Sequence, residues 1–392
     1  MGRKPYLIVA VVAVVGWSCG RCAEPGPADV AGATEPERLV LRVVGPQGQA
    51  VAGAKVGTGL NVFETSQGHP PQMIVMWLRG RSRQWPFVSD ADGCVILTGE
   101  QVAFRQFYAL HEARGWAGYA ALPKTPATGE VKLRLEPACH VRGRLSSREF
   151  DMLGHPLLET TAFVYDSDGR LIMYFVSERG HCEFLLPAGA YRLEMEGRGP
   201  NGARTQRLER KLEVTPGERE IELDVIDLPA TKLASLFGRP APKLQGIAAW
   251  VKGKPVSLES VRGRPVVLTF WGSWCEPGIR TMPRLMELYD EFEPFGVVFV
   301  VIHDTTIETG EVLTKKLTEI SAAAWEDREL PFPMALDAGE KSGATHAAYG
   351  IRQWPTTLLI GRDGKLVGQF SPWGELRTQL RQMLGLSSAT SP

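Results

Sequence analysis

The sequence predicts a multidomain chain in which two tandem all-β sandwich modules precede an α/β domain. Three observations carry this. The 392 residues exceed one domain of ordinary size, at roughly 150 residues each. Gly (42) and Pro (28) together make about 18 % of the chain against a usual ~12 %, an excess of turn formers. Short alternating strands separated by turns recur after roughly 90 to 100 residues, and past Gly238 they give way to continuous apolar runs alternating with helical spacing. With 44 basic and 44 acidic residues the formal charge is zero, so no field gathers a polyanion and nucleic acid is not an expected partner. Apolar residues at 44 % and charged residues at 22 % are globular values, not those of a disordered chain.

The chain opens with Arg3-Lys4, an apolar run from Tyr6 to Trp17 and small or polar residues around Ser18, Cys19 and Gly20. That is a basic, then apolar, then small pattern too short to cross a bilayer, and it predicts a leader over residues 1–23. Export to the periplasm or cell envelope follows. Either Cys19 carries a lipid and anchors the protein to a membrane, although Gly16 stands where that processing prefers an aliphatic residue, or the leader is cleaved conventionally or retained. Residues 24–36 are Pro-, Gly- and Ala-rich and read as a linker.

The first sandwich module is expected over 37–136. Leu39, Leu41 and Val43 alternate with Val40, Arg42 and Val44, Gly45-Pro46-Gln47-Gly48 turns the chain, and Val51 to Val56 returns it as a hairpin. The second, over 137–228, repeats the pattern with Val141 to Leu145, Thr161 to Tyr165, Leu171 to Val176 and a Pro216-Gly217-Glu218 turn. The run Gly48 to Val56 (G-x-x-V-x-G-A-x-V) and the run Leu186 to Leu193 (L-P-A-G-x-Y-R-L) resemble carboxypeptidase-regulatory-like, transthyretin-like sandwiches. The resemblance implies an architectural or adhesive role, with an envelope partner met through these modules. In an oxidising compartment Cys139 and Cys182 are a candidate disulfide, one of three pairings that four cysteines allow. His69, His111, His140, His155 and His181 lack metal-ligand spacing, so no metal is expected.

A linker is expected over 229–237, an α/β domain over 238–386 and a tail over 387–392. Pro265 to Phe270 reads as a buried strand. Met282, Leu285, Met286, Tyr289 and Phe292 follow on one helix face, with Pro283 expected to kink it and Gly296 to end it. Val297 to Ile302 is a second buried strand, Glu311 to Trp325 a helix, Thr356 to Ile360 a strand, Arg362 to Lys365 a turn into Leu366 to Gly368, and Glu375 to Leu384 the last helix.

The chemistry is expected at Phe270-Trp271-Gly272-Ser273-Trp274-Cys275-Glu276-Pro277-Gly278, where a strand ends and a helix begins. Free backbone N–H groups and the helix dipole favour an anion there, which makes a thiolate reactive. These residues, with Gly238 to Pro242, Ser257-Leu258, Arg262 to Pro265, Met282-Pro283, Tyr349-Gly350-Ile351 and Trp354 to Thr357, resemble the TlpA/ResA-like thioredoxin-fold (redoxin) family over about residues 236 to 386. The resemblance implies a thioredoxin-like domain and a thiol–disulfide oxidoreductase acting on protein or small-molecule thiols and disulfides, with no cofactor. It makes Cys275 the attacking thiol, Pro355 a cis-proline, and Trp274, Glu276, Pro277, Trp354, Pro355 and Thr356 the substrate groove. His303 and Asp304 are candidates for a proton relay.

The sequence departs from the family at Gly278, where the resolving cysteine of a dithiol enzyme belongs. Three alternatives remain. Cys275 works as a monothiol, released by an external thiol or another cysteine of the chain. The fold is a catalytically inactive binding or structural module of the cell envelope. Or Cys275 is a one-cysteine peroxidase, against which Leu268 and Gly272 stand where peroxiredoxins place Pro and Thr. No phosphate loop or dinucleotide fingerprint is present.

Overall fold

The computed structural model describes residues 38–57, 60–64, 72–74, 87–98, 106–121, 129–339, 342–372 and 374–386. The expected leader, Cys19, the first linker, His69 and the tail lie outside them. Among the described residues no helix is long and apolar enough to cross a membrane.

The chain is β-rich at its start and thioredoxin-like at its end. Strand Arg38–Val44 buries Leu39, Leu41 and Val43, and pairs antiparallel with Cys94–Thr98 and parallel with Gly129–Arg134. The hairpin expected after it closes at a single bridge, Val44 to Ala50. The returning strand Lys55–Gly57 instead joins a second sheet beside Gln106–His111 and Phe87–Val88. Crossing between layers is what lets Val51, Ala54 and Val56 cover the buried face of the first strand in one core.

The boundary expected after residue 136 falls inside one eleven-residue strand, Glu136–Ser146. Its start pairs with Trp116 and Ala117, and its continuation pairs with His181–Pro187. Strand Leu60–Glu64, from the first stretch, adds in parallel to Leu171–Ser177 of the second. The two β stretches therefore share sheets. Tyr108, Leu110 and Ala117 enter the same core as Val141, Phe175, Phe184 and Leu193.

The candidate disulfide is corrected by this register. Cys139 lies opposite Leu186 and Cys182 opposite Gly143, so the two sulfurs sit four residues apart along adjacent strands, about 13 Å at ~3.3 Å per residue. A disulfide needs Cα atoms within about 7 Å. Both thiols are free and buried.

The C-terminal sheet runs Ile247–Lys252, Met334–Asp337, Val298–His303, Val266–Trp271, Thr356–Ile360, Leu366–Gln369. Every residue of Val266–Trp271 and Val298–His303 is buried, as strands covered on both faces must be. Helix Glu276–Phe292 runs uninterrupted through Pro283. Proline removes the N–H that would bond the carbonyl of Ile279, and the indole Nε1 of Trp325 donates to that carbonyl instead at 2.9 Å. A single 3-10 turn, Glu293–Phe295, then leads to Gly296 at φ 83°.

Residues 229–237, expected to be a linker, are packed. Ala230, Ala234 and Phe237 are buried with Phe150 and Ala203 of the β-rich part against Leu268, Phe270 and Leu358 of the sheet. At the same joint Gly202, at φ 76°, passes so close to strand Leu366–Gln369 that a Cβ would lie 2.3 Å from the carbonyl oxygen of Gln369. The β-rich part thus packs against the sheet's outer edge, whose backbone groups bond to residues 238–241.

Candidate active site

Central strand Val266–Trp271 delivers the chain to Gly272-Ser273-Trp274, and Cys275 is the residue that precedes the first helical turn, with extended backbone (φ −92°, ψ 102°). Its amide donates to the Gly272 carbonyl (3.0 Å) and its carbonyl accepts from Ile279 (2.9 Å), which fixes the entry to the helix. Its side chain makes no cap; Sγ donates to the backbone carbonyl of Trp354 at 3.3 Å. The Trp354–Pro355 peptide bond is cis. Cys275 is 7 % exposed, while Trp274 beside it is 56 % exposed and its ring meets Trp354 at 5.7 Å between centroids.

The remaining groove residues have distinct places. Glu276 is turned to Arg280 in an exposed i,i+4 pair at 3.0 Å, and Pro277 occupies the first helical turn, where no N–H is needed. Thr356 is buried and its hydroxyl donates to the Gln353 carbonyl at 2.8 Å, bracing the cis-proline loop. A cavity of about 400 Å³ opens beside the thiol turn, lined by Ser273, Trp274, Thr306, Ile307, Val312 and Lys316.

His303 and Asp304 hold the turn before Cys275. The imidazole of His303 is fully buried; Nδ1–H donates to the Asp304 carbonyl (2.8 Å), so Nε2 accepts from the Ser273 amide (2.8 Å) and hydroxyl (3.0 Å). Burial pushes the His303 pKa below its ordinary value. The Asp304 carboxylate accepts from Trp274 Nε1 (2.9 Å), from the Thr306 amide (3.2 Å) and from its hydroxyl (2.5 Å). These bonds end on Ser273, Trp274 and Thr306, and none runs to Cys275. The two groups expected to relay protons are occupied in shaping the loop.

Gly278 lies under the indole of Trp271. A Cβ at that position would stand 2.7 Å from both Cδ1 and Nε1 of the ring and 3.5 Å from the Cβ of Cys275. Trp271 is fully buried, edge-on to His303, and its Nε1–H has no hydrogen-bond partner among the described residues.

Two residues at the site escaped the sequence reading. Asp337, at the end of its strand, and His346, in helix Ala344–Tyr349, form a fully buried pair at 2.8 Å, and His346 Nε2 accepts from the indole of Trp354 at 3.3 Å. His346 sits in an apolar helix far from Cys275 in sequence, so no spacing marks it. Among the described residues no group of three or more His, Cys, Asp or Glu could hold a metal.

The AhpC/TSA family model matches residues 237–369. Thiol-disulfide oxidoreductase ResA of Bacillus anthracis is 33 % identical over 141 residues, which is 36 % of this chain and 72 % of that relative. The chain belongs to the ResA-like thiol–disulfide oxidoreductases. ResA of Halalkalibacterium halodurans is 32 % identical over 118 residues, 30 % of this chain and 59 % of the relative. A solved thiol-disulfide oxidoreductase from Bacteroides fragilis is 23 % identical with a TM-score of 0.31, covering 37 % of this chain and 99 % of that one. The family model falls in the thioredoxin-like part, so this chain is a thioredoxin-fold oxidoreductase with a β-rich region beside that part.

Proposed function

We propose that this ResA-like oxidoreductase is extracytoplasmic and works through one cysteine. The observation that carries the proposal is the pairing of Cys275, at the helix entry and against the cis-proline loop, with a sulfur-free position three residues on that lies under Trp271. The other described cysteines sit in β strands of the N-terminal region. In the first step the Cys275 thiolate attacks one sulfur of a substrate disulfide, forming a mixed disulfide and expelling the other sulfur as a thiolate that takes a proton from water. With no neighbouring sulfur, a second thiol from solution attacks the mixed disulfide, takes the substrate's sulfur as a new disulfide and returns Cys275 as thiolate. One external thiol gives net exchange; two give net reduction of the substrate.

The test is trapping. Protein incubated with a disulfide-bearing peptide is expected to form a stable, reductant-sensitive adduct on Cys275, absent in Cys275→Ser. No adduct under conditions where a free thiol reacts would leave the fold as a binding module. Export is supported by the basic start and apolar run at residues 3–17. Mass measurement of protein from the cell envelope is expected to show loss of the leader, and an intact Met1 on cytoplasmic material would refute it.

A further inference from the structure

We infer that Asp337 and His346 are positioning residues for Cys275, holding Trp354 so that its backbone carbonyl keeps the thiol hydrogen engaged. This rests on Cys275 being the attacking thiol, yet it concerns the thiol's resting state and is tested without turnover.

The array runs from the carboxylate outward. Asp337 is buried and fully bonded: Oδ1 accepts from the amides of Ala338 (3.0 Å) and Thr345 (3.2 Å), and Oδ2 accepts from the amide (2.9 Å) and Nδ1–H (2.8 Å) of His346. The carboxylate oxygen facing Nδ1 fixes the imidazole in the Nδ1–H tautomer. Nε2 is therefore an acceptor, and it faces the indole N–H of Trp354 with the two rings stacked at 29°. Phe270 packs edge-on at 4.8 Å on the remaining side, so the imidazole has one orientation. The other titratable neighbour is His303. At the thiol, Glu276 is engaged with Arg280.

The end of the array is a carbonyl 3.3 Å from Sγ. A carbonyl accepts from S–H, so a fixed Trp354 engages the thiol hydrogen and keeps the sulfur covered. Released from His346, Trp354 and its carbonyl are free to move away, and Cys275 loses both an acceptor and its cover. The thiol is then more reactive toward a small alkylating agent, while the loop that receives substrate is less well set.

The experiment measures iodoacetamide alkylation of Cys275 in the full chain against pH, read by peptide mass so that half-exposed Cys94 is counted separately. His346→Phe, which cannot accept, is expected to raise the rate at pH 7 about fivefold, the equivalent of one net hydrogen bond. His346→Gln, whose amide oxygen can accept from Trp354, is expected to stay within twofold of native. Trp354→Phe alone should give the same rise, and adding His346→Phe to it should change little. Native rates in folded His346→Phe, or full additivity of the two changes, would overturn the inference. If His346→Phe does not fold, a native rate in Trp354→Phe would overturn it equally.

Discussion

Replacing Gly278 by alanine or cysteine probes the feature that sets this chain apart from a dithiol enzyme. Alanine within a helix is ordinarily about 1 kcal/mol better than glycine. Here the added Cβ meets Cδ1 and Nε1 of Trp271 at 2.7 Å, a separation at which the ring must shift. That ring is fully buried, edge-on to His303 and 6.3 Å from Trp325, so it has little room to yield. Overpacking of this kind costs about 1–3 kcal/mol. The balance is a net loss of about 1 kcal/mol for Gly278→Ala, read by urea denaturation. For Gly278→Cys the same steric term applies, but the new Cβ stands 3.5 Å from that of Cys275, inside the span a disulfide bridges. The cysteine variant should therefore be less stable than native when reduced, regain stability when oxidised, and release a trapped peptide adduct faster than native protein does. A Gly278→Ala variant more stable than native by about 1 kcal/mol would show that the indole does not oppose the Cβ, and the steric reasoning would fail.

Other expectations follow from single contacts. Because burial lowers the His303 pKa, the unfolded chain binds a proton that the folded chain refuses; stability is expected to fall as pH drops below about 6.5, and urea midpoints at pH 7.5 and 5.5 should differ less in His303→Gln than in native protein. Trp325→Phe leaves the Ile279 carbonyl without a donor beside Pro283 and should cost about 1–3 kcal/mol in the same denaturation assay, whereas an unchanged midpoint would mean that another group takes the bond. Since Ala230, Ala234 and Phe237 are buried, brief proteolysis should spare residues 228–240, and a fragment starting at residue 238 should unfold at lower urea than the thioredoxin-like part of the intact chain.

The α/β part was legible because its signals are local. Continuous apolar runs such as Val297 to Ile302 and the helical face of Met282, Leu285 and Met286 specify burial on both sides of a strand and on one side of a helix, whatever the partners. The β-rich part was legible only as strands. Nothing local shows that Glu136–Ser146 continues from one sheet into another, or that Leu60–Glu64 leaves its neighbours to pair with Leu171–Ser177, because strand partners are chosen by long-range packing. The same holds for residues 229–237, whose Pro and Ala content resembles a linker although Phe237 fills a core.

At the site the sequence located the sulfur but not its setting. A strand-to-helix junction and a cysteine are contiguous and therefore visible as a motif, whereas the groups that shape the surroundings come from separate elements. His303 and His346 each donate through Nδ1 to an oxygen and accept through Nε2, the first from Ser273 before the cysteine, the second from Trp354 before the cis-proline. Neither is bonded to Sγ. A residue that acts by holding a neighbour leaves no fixed spacing from the atom it serves, and a histidine among Ala344, Ala347 and Ala348 reads as core. The physical content lies in the direction of each bond: since Nδ1–H is committed on both rings, each Nε2 remains an acceptor, and the two loops that flank Cys275 are both held from behind by donors of their own.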